Sequence, residues 1–387
     1  MTDRTGKIKK TIMCLGQPSW RIQSGHVEAF VTQMGAFLAP VRFRLGRRTV
    51  QPYAVAPWAE EKVAGSLGGM LRGLRGDFLC LPFGGNSTPY RGEKHPPHGE
   101  TSRGIWTWES VQRNGGASTL NLSFRTQIRP GRVDRSITVR EGQTVLYCRD
   151  VVSGMSGPIS PGHHAMLKFP DEPGSGRIST SPVYRAQVFP GLFENPEEGG
   201  YSSLRPGAGF TRLDRCPAMD GSFADLSRYP ARRGFEDLVM LSHRAADDFS
   251  WSAVAFPKER YVWFALKDPR VLASTVLWMS NGGRHYPPWN GRHVNVMGIE
   301  DVTAYFHYGL AESVRAHPLR PGNIPTVFRL NKRVPLVVNY IMAVAEIPRG
   351  FGRVRTIRRG ASSVFLVSDE RRVVEVPLDS GFLYGRA

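Results

Sequence analysis

Residues 110–128, SVQRNGGASTLNLSFRTQI, and residues 132–152, RVDRSITVREGQTVLYCRDVV, decide the fold. Each stretch places alternating apolar residues on both sides of a two-residue turn, Gly115-Gly116 in the first and Glu141-Gly142 in the second. Such alternation around a glycine turn is typical of a β-hairpin, because glycine adopts the positive φ angles that tight hairpin turns need. We therefore predict two antiparallel hairpins here.

Further strand candidates follow the same pattern over most of the chain. They are short, apolar and separated by turn residues, and they cover residues 27–31, 37–45, 238–243, 251–256, 261–266, 274–279, 327–347, 362–368 and 373–378, with weaker signals at 183–189 and 209–213. Many short strands with little helix indicate an all-β fold of antiparallel sheets with few short helices, either a sandwich or a barrel. One helix is predicted over 299–316, where apolar residues recur at helical spacing. We expect residues 1–25 to be a polar lead-in and residues 26–387 to form one domain.

The composition is that of an ordinary globular protein, with 41% hydrophobic and 22% charged residues. The net charge of +18 could indicate a nucleic-acid partner. The basic residues are dispersed, however, and their densest run, RGFGRVRTIRR at 349–359, lacks the spacing of known nucleic-acid motifs. A solvated basic strand face is therefore the favoured interpretation, and no nucleic-acid partner is expected.

The four cysteines, Cys14, Cys80, Cys148 and Cys216, lie far apart and form no CxxC pair. This spacing predicts reduced thiols and neither a disulfide framework nor a zinc site. The apolar stretch at 11–16 is too short for a signal peptide, and no apolar run reaches the length of a membrane span. We expect a cytoplasmic protein with no membrane partner.

A long polar loop at residues 81–108, LPFGGNSTPYRGEKHPPHGETSRGIWTW, carries the first group of candidate functional residues. Its glycines and prolines exclude helix and regular sheet. Loops held between strands often present binding and catalytic groups. The polar candidates are Asn86, Arg91, Glu93, His95, His98, Glu100 and Arg103. A solvated loop whose histidines have no function is the alternative.

A second group lies in residues 151–170, VVSGMSGPISPGHHAMLKFP, where His163 and His164 open a strand. Adjacent residues of a strand point to opposite faces. Only one of these two histidines can therefore face a given cleft, and the sequence leaves open which one does. An ordinary histidine pair at the end of a turn is the alternative.

The third group lies in residues 278–301, WMSNGGRHYPPWNGRHVNVMGIED. Aromatic rings mixed with amide, guanidinium and carboxylate groups suit a sugar, whose C–H faces stack on rings while its hydroxyls form hydrogen bonds. The candidates are Asn281, Arg284, His285, Trp289, Asn290, Arg292, His293 and Glu300. Alternatively, Trp289 closes a loop and Glu300 is an acidic residue in the first turn of the predicted helix.

These three stretches together resemble the aldose 1-epimerase (galactose mutarotase) family. His98-Gly99 followed by the strand residue Trp106 looks like the region of that family's first active-site histidine. His164, on a strand that ends at Phe169-Pro170, is similar to the second histidine.

Two further stretches carry the resemblance. The segment Gly298-Ile299-Glu300-Asp301 resembles the segment of the catalytic glutamate, and VEAFVTQMGAFLAPVRF at 27–43 is similar to the first hairpin. The resemblance spans residues 26–347 and implies a galactose-mutarotase-like supersandwich. The family's Asn-x-x-x-His-x-Tyr-Phe signature is absent around His164, and its sugar-binding arginine has only a partial resemblance in Arg91.

The resemblance implies an isomerase that interconverts sugar anomers without a metal or organic cofactor. Glu300 would be the base, His164 the acid (or His163, if it faces the cleft), and His98 a hydrogen-bond partner of the sugar. The substrate-binding residues would be Asn86, Arg91, Glu100, Asn281, Arg284, Trp289 and Arg292.

Two other functions stay open on the sequence. The first is a non-catalytic carbohydrate-binding protein on the same fold, since a fold does not fix a function. The second is a lyase or glycoside-processing enzyme acting on an acidic or modified sugar, which the excess of arginine makes reasonable. The sequence identifies neither the sugar nor the oligomeric state.

Overall fold

The structure, a computed structural model, describes residues 11–62, 68–243, 248–319 and 322–385. Within these ranges the chain is mostly β-strand, and the described helices are short. The predicted all-β fold class is therefore confirmed.

The strands pair into antiparallel sheets. In chain order they are β1 (Ile12–Cys14), β2 (Gln17–Gln23), β3 (Val27–Thr32), β4 (Leu38–Leu45), β5 (Arg48–Val50), β6 (Leu79–Cys80), β7 (Thr107–Asn114), β8 (Ala117–Thr126), β9 (Gly131–Arg140), β10 (Val145–Ser153), β11 (Gly157–Ile159), β12 (Gly162–Lys168), β13 (Gly176–Thr180), β14 (Arg185–Val188), β15 (Gly209–Phe210), β16 (Cys216–Pro217), β17 (Phe223–Ala224), β18 (Arg228–Tyr229), β19 (Phe235–Ser242), β20 (Ser250–Phe256), β21 (Tyr261–Lys267), β22 (Ser274–Asn281), β23 (Val296–Val302), β24 (Phe328–Leu330), β25 (Leu336–Glu346), β26 (Val354–Arg359), β27 (Ser363–Ser368) and β28 (Val373–Pro377). The α-helices are α1 (Gly69–Gly73) and α2 (Leu310–Val314), and 3-10 helices cover Glu100–Ser102, Pro196–Glu198, Leu213–Arg215 and Ser380–Tyr384.

Two large sheets form the body of the sandwich. One has nine strands in the order β18-β13-β20-β21-β25-β10-β9-β8-β7, and the other has seven in the order β15-β14-β19-β22-β23-β12-β6. Strands β1 to β5 form a separate five-stranded sheet, and β26 to β28 form a three-stranded one. Both predicted hairpins are confirmed, since β7 pairs with β8 and β9 pairs with β10 in antiparallel registers.

The seven-stranded sheet is buried on both faces, because its central strands β19, β22 and β23 contain only buried or nearly buried residues. On β23, Met297 and Ile299 point into the main core between the two large sheets. Val296 and Val302 of the same strand belong to a second cluster on the opposite face, together with aromatic loop residues such as Trp289. We call these the inner and outer faces of the sheet.

The C-terminal strands cover the remaining face of the nine-stranded sheet. Ile357, Val364, Leu366 and Val376 of β26 to β28 pack in one cluster with Phe264 of β21. The basic run at 349–359 therefore includes an edge strand whose apolar residues are buried and whose arginines are mostly exposed.

The structure differs from the prediction at the N-terminus. Residues 12–14 and 17–23 of the expected polar lead-in form β1 and β2, while residues 1–10 lie outside the described residues. Trp20 and Ile22 alternate inward and are buried. Their alternation with exposed polar residues marks a strand with one buried face.

The predicted helix over 299–316 is wrong. Residues 299–302 belong to β23, which hydrogen-bonds to β12 and β22 on either side. The helix that does form, α2, has five residues and begins after Phe306 and Gly309, whose φ angles of +46° and +123° interrupt helical geometry. Strand pairing in the sheet overrides the helical spacing of the apolar residues.

Candidate active site

Strands β12 and β23 set two pairs of polar residues on opposite faces of the seven-stranded sheet. In their antiparallel register His164 lies opposite Glu300, and His163 lies opposite Asp301. His164 and Glu300 share the outer face, whereas His163 and Asp301 point to the inner one. The structure thus places His164, and not His163, beside Glu300.

His164 and Glu300 form a close, buried pair. The Nε2 atom of His164 lies 3.2 Å from Oε1 of Glu300. Phe78 stacks on the imidazole at a centroid distance of 4.7 Å, and Trp278 contacts it edge-on. Both side chains are almost inaccessible to solvent, with 4% and 1% exposure.

Burial shifts both members of this pair toward their neutral forms. It raises the pKa of Glu300 well above its usual value, although Arg284 acts in the opposite direction. It also lowers the pKa of His164 to about 3, with a further decrease from His307. Both shifts favour the arrangement in which the proton of the free pair lies on the Glu300 carboxyl group and not on His164.

His98 reaches the same site from the loop after β6. Its ring lies 5.0 Å from that of His164, between centroids. The Nδ1 atom contacts the Cys80 thiol at 3.3 Å, and Nε2 lies 3.2 Å from Nε2 of His307. Burial, with His164 and His307 nearby, lowers the pKa of His98 well below its usual value, so the imidazole is neutral.

Arg284 provides a positive charge beside these groups. Its guanidinium lies 4.5 Å from the ring centre of Trp289 and 5.3 Å from that of Trp278. Glu194 pairs with it through an Nε–Oε1 distance of 2.7 Å. Burial raises the pKa of Glu300, and the positive charge of Arg284 partly opposes that rise.

Glu236 lies behind Trp278 on the outer face of β19. Its carboxyl group accepts hydrogen bonds from the Trp278 indole and the Ser280 hydroxyl, both at 2.9 Å. Burial raises the pKa of Glu236 to about 7, while Arg284 lowers it. Glu236 therefore fixes the orientation of the indole that contacts His164.

Several predicted binding residues lie apart from this cluster or are engaged in other contacts. Asn86 donates to the carbonyls of Pro82, Gly84 and Pro96 and accepts from the Leu310 amide, which holds the loop together. Arg91 is exposed and packs over Tyr90.

Asn281 and Arg292 also have structural partners. Asn281 donates to the Ala231 carbonyl at 2.8 Å and accepts from the Asn295 amide at 3.0 Å. Arg292 pairs with Glu61 at 2.6 Å on the surface. These contacts order the loops around Trp289, so the two side chains support the site indirectly.

Glu100 belongs to a different feature, an open cleft of about 970 Å³ beside the loop. Its carboxylate accepts from the backbone amides of Gln127 and Ile128, both at 3.0 Å. The cleft lining includes His95 and Arg103 but none of His98, His164 and Glu300. Glu100 is therefore separate from the histidine cluster.

The sequence interpretation missed His307, Glu236 and Glu194. His307 was missed because it lies within the predicted helix at 299–316. Gly309 and the surrounding aromatic residues were signals against a helix there. Glu236 could have been noticed as a carboxylate within an apolar strand, FEDLVMLS, where it requires partners. Glu194 lies in a polar loop that carries no such signal.

Comparisons with solved structures identify the fold. A provisionally assigned aldose 1-epimerase from Escherichia coli K12 is 12% identical, covers 86% of this chain and 100% of its own, and has a TM-score of 0.57. A galactose mutarotase related enzyme from Lactobacillus acidophilus is 12% identical over 85% and 99% of the two chains, with a TM-score of 0.53. A provisionally assigned aldose 1-epimerase from Klebsiella pneumoniae subsp. pneumoniae is 14% identical over 83% and 77%, with a TM-score of 0.59.

The chain therefore has the galactose-mutarotase-like fold, and the predicted resemblance is confirmed for the fold. No protein-family model matches the sequence, and no curated protein matches it. At these identities the comparisons establish architecture alone. In the described residues, no helix has the length and apolar character needed to cross a membrane.

Proposed function

We propose that this protein is an aldose 1-epimerase-like isomerase, which interconverts the α and β anomers of a sugar. The observation that carries the proposal is the 3.2 Å contact between His164 and Glu300, in a buried site lined by aromatic rings. Anomerisation needs one group that removes a proton and one that donates a proton, both close to the sugar ring. This pair supplies both groups and a single proton.

The proton count of the pair matches the reaction. Transfer of the shared proton from Glu300 to His164 produces a carboxylate and an imidazolium. The carboxylate removes the proton of the C1 hydroxyl, C1=O forms, and the bond from C1 to the ring oxygen breaks. The imidazolium protonates the released ring oxygen. After rotation about C1–C2 the same steps run in reverse and close the ring as the other anomer.

The surrounding residues support this chemistry. Arg284 stabilises the carboxylate form of Glu300 through its charge. His98 is neutral and contacts both Cys80 and His307, so its ring is oriented before a sugar arrives. We assign it as a hydrogen-bond partner of the C1 or ring oxygen. Trp278 and Trp289 provide the apolar surface expected beside a pyranose.

This mechanism predicts a bell-shaped dependence of kcat on pH. The pair is active only with one proton, because a second proton removes the base and loss of the first removes the acid. The acid limb follows the lowered pKa of His164, and the alkaline limb follows the raised pKa of Glu300. Rates measured across the pH range on the folded protein will check both limbs.

Optical rotation of freshly dissolved α-glucose and α-galactose tests the function. We expect the wild-type protein to accelerate the change in rotation and Glu300→Gln to lose at least a hundredfold of that acceleration, since glutamine cannot remove the proton. Glu28→Gln, a change in an exposed ion pair with Arg21 and Arg42, is the control and should leave the rate unchanged.

Two results would argue against the proposal. If Glu300→Gln accelerated anomerisation as well as the wild type does, the assigned base would be wrong. If the wild type bound aldoses, as seen by tryptophan fluorescence, without accelerating their anomerisation, the protein would be a carbohydrate-binding protein. Inclusion of acidic and phosphorylated sugars in the panel will define the substrate charge.

A further inference from the structure

A buried network of charged residues lies directly behind the candidate pair, on the inner face of the same two strands. His163 of β12 is held between two aspartates, with Nδ1 2.9 Å from Oδ2 of Asp77 and Nε2 3.3 Å from Oδ2 of Asp150. Arg135 lies 3.2 Å from Asp77 and 3.8 Å from Asp150. All four side chains have 0% exposure.

The network continues to the partner strand. Tyr340 stacks on His163 at a centroid distance of 4.3 Å and donates to Asp301 at 2.7 Å. Asp301 lies opposite His163 in the register and also pairs with Lys267. Tyr340 thus connects the inner residues of β12 and β23 immediately behind His164 and Glu300.

The charges balance only if His163 is protonated. Asp77, Asp150 and Asp301 bring three negative charges, while Arg135 and Lys267 bring two positive ones. Burial opposes a charged imidazole, but the attraction of Asp77 and Asp150 prevails and raises the pKa of His163 to about 9. The inner histidine is therefore charged at neutral pH, whereas the outer one is neutral.

We propose that His163 is a positioning residue for the candidate pair: as an imidazolium between Asp77 and Asp150, it fixes the register of β12 and keeps the interior beneath His164 and Glu300 electrically neutral. This inference rests on the proposed function. It explains why an ionic network occupies a place where apolar residues would pack more cheaply. A shift of one residue in the register would put His164 among the aspartates and His163 in the cleft.

The charged and titratable neighbours of each histidine are on different faces. The side chains that face His163 directly are Asp77 beside β6, Asp150 of β10 and Tyr340 of β25. Arg135 of β9 pairs with both aspartates, and Lys267 of β21 pairs with Asp301 of β23 at the edge of the same network. Those around His164 are Cys80, His98, Arg284, Glu300 and His307. Asp77 partly opposes the lowering of the pKa of His164 by burial, so the charge of an inner-face aspartate affects a histidine on the outer face.

Two variants with opposite charge changes test the proposal. His163→Gln leaves an uncompensated negative charge in the interior, so His164 and Glu300 should bind protons more tightly. We expect the alkaline limb of the kcat profile to move up by about one pH unit, a tenfold change in proton affinity. Asp150→Asn removes a negative charge while Asp77 still holds His163, so the same limb should move down.

The control and the independent readout separate this proposal from the proposed function. Asp237→Asn changes another buried carboxylate on the inner side of the same sheet, one that contacts Ser203 and Leu204 and lies outside the network; it should move neither limb. NMR titration of the His164 ring reports its protonation whether or not the protein is an enzyme. In His163→Gln this titration should start at higher pH than in the wild type.

Several outcomes would decide the matter. If both variants kept the wild-type positions of the limbs and the wild-type His164 titration, whatever their residual rate, the network would be purely structural and the inference would be overturned. If the wild type showed no anomerisation, the proposed function would fail, and the NMR titration alone would still test the electrostatic coupling. If His163→Gln fails to fold, Asp150→Asn still tests the proposal, because its alkaline limb should move to lower pH.

Discussion

At the scale of single residues, Arg284 controls how readily the candidate base can ionise. Its guanidinium lies over Trp289 and pairs with Glu194, whose carboxylate offsets part of the positive charge. Burial raises the pKa of Glu300, and the remaining charge of Arg284 opposes that rise. Burial lowers the pKa of His307 to about 4, and Arg284 adds to the decrease. We therefore expect Glu194 to influence Glu300 through Arg284.

The variant Glu194→Gln will strengthen the effect of Arg284 on the candidate pair. Because a negative charge is lost next to the guanidinium, the pKa of Glu300 should fall, and the alkaline limb of the kcat profile should move to lower pH by about half a pH unit. A rate profile from pH 6 to pH 10 will measure the shift.

Glu61→Gln is the matched control, since Glu61 pairs with Arg292 at the surface of the same region. It should leave both limbs in place, because exposed ion pairs are screened by solvent. An equal shift in both variants would mean that general loss of negative charge, and not Arg284, is responsible.

At the scale of secondary-structure elements, Gly298 of β23 leaves the space that the Glu300 carboxylate of the same strand occupies. A Cβ atom added at Gly298 would lie 2.6 Å from Oε1 of Glu300 and 3.2 Å from the Trp278 side chain. Gly298 and Glu300 are two residues apart on the outer face, so the missing side chain leaves the space that the carboxylate occupies.

We expect Gly298→Ala to displace Glu300 from His164 and to lower kcat about tenfold, ~1.4 kcal/mol in the activation free energy. Gly209→Ala in β15 of the same sheet is the control, because its added Cβ would meet only the Ala186 carbonyl at an ordinary 3.9 Å. Anomerisation rates and thermal unfolding of both variants will separate a local displacement from a loss of stability.

The sequence predicted the strands better than the site, for a physical reason. Hairpins such as β7–β8 depend on local alternation and turn glycines, which can be read directly. The pairing of His164 with Glu300 depends on a register between strands more than 130 positions apart in sequence, and Glu194 approaches Arg284 only because of a distant loop. Ile299 fits a helical spacing pattern but forms part of a strand, because its strand pairs with β22, which lies further back in the sequence.

At the scale of the whole molecule, His163 differs electrostatically from other buried histidines, including His243, whose pKa burial lowers to about 4. Burial lowers the pKa values of the outer-face residues His164 and His293 to about 3, and of His307 to about 4. On the inner face, Asp77 and Asp150 overcome burial and raise the pKa of His163 to about 9. Folding stability must therefore depend on pH on both sides of neutrality.

Whether each group makes stability rise or fall with pH follows from comparing its folded pKa with that of an unfolded histidine, about 6.5. Below pH 6.5 the unfolded chain protonates these histidines, His164, His243, His293 and His307, before the folded protein does. Their contribution to stability is therefore lost as the pH falls from 6.5 toward 3. His163 behaves in the opposite way: its contribution is complete below pH 6.5 and is lost as the pH rises through 9. Glu236, with its raised pKa of about 7, and Glu300, whose pKa is raised well above its usual value, oppose part of the loss of stability on the acid side and add to the loss on the alkaline side.

We therefore expect the free energy of unfolding, measured with urea at a series of pH values, to be greatest near pH 6.5 and to decline in both directions. His163→Gln should be less stable at pH 6.5 and should lose much of the decline between pH 7 and pH 9, because the group that releases its proton there is gone. His293→Gln is the complementary variant and should weaken only the decline on the acid side. If the alkaline decline persisted unchanged in His163→Gln, the buried imidazole would not be the charged group that the network requires.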